Sequence, residues 1–286
     1  MKTWAAIIML IPVVAMFIIV FAAPMVLVVR LAFLKTDYVT EAFVGLKNFT
    51  DAFRDKYFMR SFFNVLVYLV PIVPLTILMT YGATSMLTRF PERLQRAGRF
   101  ISYLPNMTAG IIITLMWRWL LKRDGLINHF IISYGGQSIP WLTEPWTARL
   151  SVILVSLSTG PGALVVMASA VMKAIPIEMH DAAIIDGASE SQYRRLIVRP
   201  LMMPTIMLFV LLILVGTLQA WETIYILTGE GGPKGSTATP VYQIFQTAFM
   251  NNEPGYAAAK GLILLVVIAA IVIVKQRVEK WAALDQ

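Results

Sequence analysis

IPIEMHDAAIIDGASESQYRRLIVRP, residues 175–200, is the longest run on the expected inner side of this chain that is neither an apolar span nor a tail. Pro176 stands where a helix can begin, because a first-turn proline loses only an N–H that would have no intrahelical partner. Glu178 and Asp181 follow in the early turns, where negative charge suits the positive end of the helix dipole. Met179, Ala182, Ala183 and either Ile185 or Ile184 recur at three- and four-residue spacing and give one face a small apolar stripe. Gly187 closes that helix, since glycine accepts the left-handed conformation of a helix end. Ser189 and Gln192 have capping-box spacing and start a second helix to about Val198, which Pro200 is expected to stop. The stretch reads as helix, tight turn, helix, held between two membrane spans.

The composition around it belongs to a polytopic membrane protein. Of 286 residues, 58% are hydrophobic and 14% charged, whereas a soluble domain carries about 25% charged residues. The net charge is +8, but the basic residues cluster beside apolar spans, as topology determinants and lipid headgroup contacts do, and not as a nucleic-acid surface. The absence of cysteine excludes disulfides, thiolate metal sites and thiol catalysis. His129 and His180 lie in separate loops, so a histidine metal site is not expected.

Six stretches meet the requirement of about 20 apolar residues per spanning helix. They lie near 5–29, 62–87, 102–121, 150–172, 201–227 and 257–274, within one all-α transmembrane domain covering residues 1–286. The first apolar run exceeds a signal-peptide core and is expected to be retained. Six spans put both termini on one side. Counting Lys2, twelve basic residues fall on that side and twelve on the other. The short link holding Arg89, Arg93, Arg96 and Arg99 favours termini inside, because the positive-inside rule weighs short loops. Pro71, Pro74 and Gly160-Pro161-Gly162 interrupt spans, and backbone freed there must be satisfied by protein or by a wet cavity.

Residues 181–188, DAAIIDGA, resemble the EAA loop of ABC-importer permeases, E-A-A-x-x-D-G-A, with Asp181 in place of the first Glu. Gly45-Leu46-Lys47-Asn48-Phe49, Leu104-Pro105, Trp117-Arg118, Gly125-Leu126-Ile127-Asn128, TGEGGP at 228–233 and Gly255-Tyr256-Ala257-Ala258-Ala259 are similar, in order and spacing, to the carbohydrate (maltose-transporter type) branch. The resemblance covers roughly residues 10–275. It implies that Met179, Asp181, Ala182, Ala183, Ile185, Asp186, Gly187 and Ala188 dock into a cytoplasmic ATPase subunit. It further implies a second homologous permease, two ATPase subunits that carry ATP and magnesium, a periplasmic or lipid-anchored solute-binding protein, and residence in a bacterial inner membrane. No cofactor is expected on this chain. A helix lying on the lipid surface is the other reading of residues 175–200, though such a helix has no need to fold back.

A sugar site needs hydrogen-bonding side chains and aromatic faces, so polar residues inside spans are the candidates. Gln219, Trp221, Glu222 and Tyr225 form the first group, where an amide and a carboxylate could hold hydroxyls and the rings could stack on a pyranose. An interfacial aromatic belt explains Trp221 and Tyr225 equally well. Ser156, Thr159 and Gly160 form the second group, at the position where the resemblance places part of the sugar site. A close contact between helices through small residues is its alternative. Asn64, Tyr68 and Asn106 are lone polar residues that could simply bridge helices.

GEGGPKGST at 229–237 has the flavour of a phosphate loop, but Lys234 precedes Gly235 instead of following the second glycine of a Walker motif. No Ser-His-Asp set, H-E-x-x-H or paired carboxylate suggests an enzyme. The expectation is a permease subunit importing an oligosaccharide or sugar derivative. The alternatives are a permease for another solute, such as a glycerol phosphodiester or an amino acid, and a membrane scaffold protein.

Overall fold

A proline inside a helix leaves the carbonyl four residues earlier without its donor, and its ring crowds that carbonyl. The chain meets this problem repeatedly: Pro12, Pro71, Pro74, Pro105 and Pro204 are carried inside helices, and widened turns precede Pro24 and Pro200. In the computed structural model, which describes residues 3–108 and 110–284, α1 (Thr3–Phe17) passes through a π-helical turn at Ile18–Ala22 into α2 (Ala23–Ala32). Ala23 donates to the Ile18 carbonyl, five residues back, immediately before Pro24. Lys2, counted above among the inner basic residues, lies outside the described residues.

The first of two compact units comprises Met1–Met59 and Gln243–Ala269. After α2 the chain turns through an antiparallel hairpin, β1 (Leu34–Thr36) with β2 (Glu41–Phe43), in which Lys35 faces Ala42. Asp37 Oδ1 closes the hairpin by accepting from the N–H of Val39 and Thr40 and from the Thr40 hydroxyl. In α3 (Lys47–Arg54), buried Asn48 donates to the carbonyls of Ala32 and Leu34, both at 2.9 Å. It thereby satisfies the end of α2. Gly255, near the start of α15 (Pro254–Leu284), lies against Leu34: a Cβ there would sit 2.0 Å from the Leu34 carbonyl oxygen. Ala258 and Ala259 continue that close approach against Ala32, with Phe49 and Leu262 beside them.

Lys260, one turn further along α15, has only 3% of its side chain exposed. Its ammonium sits 2.8 Å from Asp55 Oδ2 and 3.0 Å from the Thr247 hydroxyl, over the faces of Tyr256 and Phe58. The Tyr256 hydroxyl donates to the same Asp55 oxygen. Burial pushes the Asp55 carboxyl up, but the Lys260 hydrogen bond and charge, the Phe58 N–H and Tyr256 together hold it below the usual carboxylate range.

The second unit comprises Arg60–Tyr242 with Ala270–Gln286. It holds most of α4 (Lys56–Leu87), then α5 (Glu92–Met107), α6 (Gly110–Leu120), α7 (Leu126–Ser133), α8 (Pro145–Thr159), α9 (Pro161–Lys173), α10 (Ile177–Ile185), α11 (Glu190–Tyr193), α12 (Arg199–Gln219) and α13 (Glu222–Thr228). A short α14 (Pro240–Phe245) begins here. Two apolar clusters fill it. One joins Tyr68 and Ile72 to Val152, Val155, Ile224, Leu227 and Tyr242; the other joins Leu164 and Ala168 to Val198, Met202 and Phe209.

Five single helices among the described residues are long and apolar enough to cross a membrane, and a sixth place is taken by a bent pair. That pair, α5 and α6, replaces the straight span expected over 102–121. The two helices meet at 82°, where Thr108 turns extended (φ −78°, ψ 134°). The segment expected at 201–227 is broken as well: Ala220 is extended (ψ 95°) between α12 and α13. Pro200, expected to end a helix, does not. A π-helical turn at Arg194–Val198, with Arg199 donating to the Arg194 carbonyl, widens the turn before the proline ring. Residues Glu190–Gln219 therefore form one 30-residue helix.

Lys260→Met leaves the Asp55 carboxylate buried without its counter-ion. The expected cost is about 3 kcal/mol, the low end for removing one partner of a buried pair, since Asp55 keeps 20% of its side chain exposed. Thermal unfolding in detergent should show a clearly lowered Tm, largely recovered by Asp55→Leu combined with Lys260→Met. Because the folded Asp55 titrates below its unfolded value, this contribution is fully present above the ordinary carboxylate range. It disappears as pH falls through the depressed folded value. The melting difference between wild type and Lys260→Met should be constant at neutral pH and shrink below about pH 4.

Candidate functional site

The second unit encloses a cavity of about 430 Å³. α4 contributes Tyr68, Ile72 and Thr76; the α5–α6 bend contributes Pro105, Asn106, Thr108, Gly110 and Thr114. α8 and α9 bring Ser156, Thr159, Gly160 and Leu164, and the α12–α13 break brings Thr217, Ala220 and Thr223. Both breaks that the apolar pattern failed to forecast therefore open onto one hollow. Thr239 also lines it and donates to the freed Ala220 carbonyl at 2.6 Å, so the unwound backbone is paired inside protein.

The second sequence-derived group, Ser156, Thr159 and Gly160, lies on the cavity wall. Gly160 keeps helical dihedrals (φ −59°, ψ −43°), so the Gly160-Pro161-Gly162 triplet joins α8 to α9 with little interruption. Its two glycines serve different ends. Gly160 lines the cavity next to Thr76, whose hydroxyl oxygen a Cβ would meet at 3.8 Å, whereas a Cβ on Gly162 would lie 2.2 Å from the Ser102 carbonyl oxygen. Gly162 is thus the point where α9 crosses α5 through a small residue.

The first group is placed elsewhere. Gln219 and Glu222 are exposed, Tyr225 is 43% exposed, and Trp221 packs half-buried against the core around Tyr68. None of the four lines the cavity. Of the lone polar residues, Asn106 reaches the cavity, and Tyr68 lines it but donates its hydroxyl to the Thr237 carbonyl. Buried Asn64 donates to the carbonyls of Gly235 and Ala238 and accepts from Arg149, which also donates to Ser236. These three side chains clamp the glycine-rich loop at 229–239 by its carbonyl oxygens. A phosphate loop presents N–H groups instead, so this loop is a structural cap. Its turns need glycine: Gly231 and Gly232 have φ of 78° and 75°. Thr217, Thr223 and Thr239 were missed in the sequence: isolated threonines in an apolar run carry no mark of facing inward, and Thr239 stands in a polar loop with nothing to show that it folds back onto the cavity.

Residues 175–200 fold as helix, turn and helix. Pro176 precedes α10, and Gly187 takes φ 77° in the turn with open space around the position of a Cβ. Ser189 forms a capping box with Gln192, each side chain accepting from the other's backbone N–H. The two arms are pinned to one another. The His180 ring meets Tyr193 edge-on at 4.9 Å, His180 Nε2 lies 3.4 Å from Glu190, and Glu190 pairs with Arg194 at 2.6 Å. Ala183 is buried, while Met179, Asp181, Ala182, Ile185, Asp186 and Gly187 are exposed and Ala188 is half-buried. Ile185 is 85% exposed, with Ile184 and Ile177 beside it. Polar groups ring an uncovered apolar tip.

A family model for the binding-protein-dependent transport system inner membrane component matches residues 52–283. The diacetylchitobiose uptake system permease protein NgcF of Streptomyces coelicolor is 30% identical over 250 residues, spanning 82% of this chain and 71% of that protein. The arabinooligosaccharides transport system permease protein AraP of Bacillus subtilis is 25% identical over 266 residues, 91% of this chain and 83% of its own length. A chain from a bacterial ABC transporter involved in import of the acidic polysaccharide alginate superposes with a TM-score of 0.85 at 22% identity, covering 98% of this chain and 96% of that one. That likeness speaks for the fold. With the family model spanning most of its length, the chain belongs to the inner-membrane components of binding-protein-dependent transport systems.

Proposed function

We propose that this chain is the permease subunit of an ATP-driven importer of carbohydrate, an oligosaccharide or sugar derivative. It pairs with a second, homologous permease and two cytoplasmic ATPases that hold ATP and magnesium. A periplasmic or lipid-anchored binding protein delivers the solute, and both termini of this chain face the cytoplasm. Ser156, Thr159 and Gly160, with Thr217 and Thr223, contact the solute. Gln219, Trp221, Glu222 and Tyr225 reach it only from the face shared with the second permease.

One observation carries this reading: the helix that leaves the exposed turn runs unbroken to the cavity wall. From Glu190 to Thr217 there is no break, a rise of about 40 Å at 1.5 Å per residue. An ATPase that gripped Met179, Ile184 and Ile185 would therefore move Thr217 and the break at Ala220 directly. Pinning of α10 onto the same helix by His180, Tyr193 and Glu190 makes the hairpin a rigid handle. The handle can drive alternating access only if its docking energy differs between inward- and outward-facing states. A scaffold protein has no use for the cavity, and a lipid-lying helix has no use for the capped turn.

Gly187→Val places a β-branched residue at φ 77°, which costs about 1–2 kcal/mol of local strain and opens the turn. Insertion and assembly should persist while binding-protein-dependent uptake in reconstituted vesicles falls at least tenfold. Asp186→Lys should act alike. Normal uptake by both variants would remove the coupling role.

Ser156→Leu fills cavity space and should raise the apparent KM for the imported sugar with ATPase assembly intact. An unchanged KM would place the solute elsewhere.

A further inference from the structure

Most of the hydroxyls that line the cavity share one orientation. Ser156 donates to the Val152 carbonyl at 2.9 Å and Thr217 to Ile213 at 2.7 Å. Thr159 donates to Val155, Thr114 to Gly110, Thr108 to Leu104 and Thr239 to Ala220. A hydroxyl has one proton and two lone pairs. Once the proton is given to backbone, what remains for a ligand is an acceptor. The lining thus presents mainly lone pairs and, among the described residues, carries no Lys, Arg, His, Asp or Glu. Thr76, Asn106 and Thr223, whose side chains make no hydrogen bond among the described residues, supply the few neutral donors. Arg149, the basic side chain clamped behind this wall, is spent on the Ser236 carbonyl and Asn64.

We propose that this wall selects ligands that donate hydrogen bonds and carry no charge, so that the chain's solute is a neutral, hydroxyl-rich glycan and not a uronate, sulfonate or phosphodiester. The proposal rests on the import reading given above and narrows it. A sugar hydroxyl can donate to each lone pair of the lining. A carboxylate, sulfonate or phosphate is acceptor-only: it would face other acceptors in a space bounded by apolar helices, without a counter-ion. Leaving water under those terms is costly, because a buried charge needs both a partner and hydrogen bonds. Three neutral side chains do not replace a hydration shell. The same polarity predicts that methylating the sugar's hydroxyls, which removes donors and keeps oxygen acceptors, abolishes binding.

The test is equilibrium binding to the purified complex of both permeases and both ATPases, without the binding protein, so that its own selectivity does not enter. The probes are three radiolabelled tetrasaccharides of one linkage: neutral, 6-carboxylated and per-O-methylated. The neutral glycan should bind at least tenfold more tightly than either of the others. Thr217→Val should weaken the neutral glycan about five- to tenfold through one lost acceptor, and Thr217→Ser should restore it. Equal or tighter binding of the carboxylated glycan, or retained binding of the methylated one, overturns the inference while leaving carbohydrate import intact. Binding of no saccharide by the complex, with uptake of an unrelated solute in vesicles, sinks the import reading itself.

Discussion

Inside a bilayer no water is at hand to satisfy a broken backbone, so each interruption of a spanning helix must be answered by the protein. This chain meets that constraint at Pro24, Gly160-Pro161, Pro200 and Ala220, and answers it in three ways. Before Pro24 and Pro200 a π turn passes the hydrogen bond from five residues back and lets the helix run on. At Gly160-Pro161 the helix continues almost unbroken, with Gly160 donating to Ser156 at 2.8 Å. At Ala220 the helix does break, and Thr239 takes the exposed carbonyl. The first solution preserves a rod; the last makes a hollow. Together they set the continuous helix beside the cavity.

The same reasoning explains the polarity of the cavity. Serine and threonine are tolerated in apolar helices because they can return their proton to the preceding turn. Doing so hides the donor and leaves the lone pairs. A hollow lined by such residues acquires a hydrogen-bonding character without any charged group crossing the membrane. Charge is confined elsewhere. Asp55 and Lys260 neutralise one another, and Arg149 holds the glycine-rich cap by its carbonyls.

How much of this was legible in the sequence depends on how local each signal is. The helix-turn-helix at 175–200 was readable because its determinants are neighbours: Gly187 for the left-handed turn, Ser189 and Gln192 for the cap. Pro200 misled, since a π turn upstream has no sequence mark and overrides the usual rule. The break at Ala220 was silent because the group that satisfies it, Thr239, lies 19 residues further along the chain; the bend at Thr108 was not foreseen either. Gln219 and Glu222 drew attention as the most polar side chains of an apolar run. Which face of that run turns inward is set by packing, and a helix that is apolar all round gives no period from which to read it. Small residues did better: Ser156 and Gly160 lie on the wall, while Gly162 beside them serves packing.

The central claim is mechanical: the exposed turn and the cavity wall move as one body. The chain has no cysteine, so spin labels can be placed on introduced cysteines alone. The most direct measurement is the distance between labels at Ser191 and Leu212, about 32 Å along the helix, in the assembled transporter with and without ATP, together with the mobility of a label at Ile185. A rigid lever gives the same distance in both states and a label at Ile185 immobilised by the ATPase. A distance that changes by more than about one helical turn, 5.4 Å, or an Ile185 label that stays mobile in the complex, would contradict it.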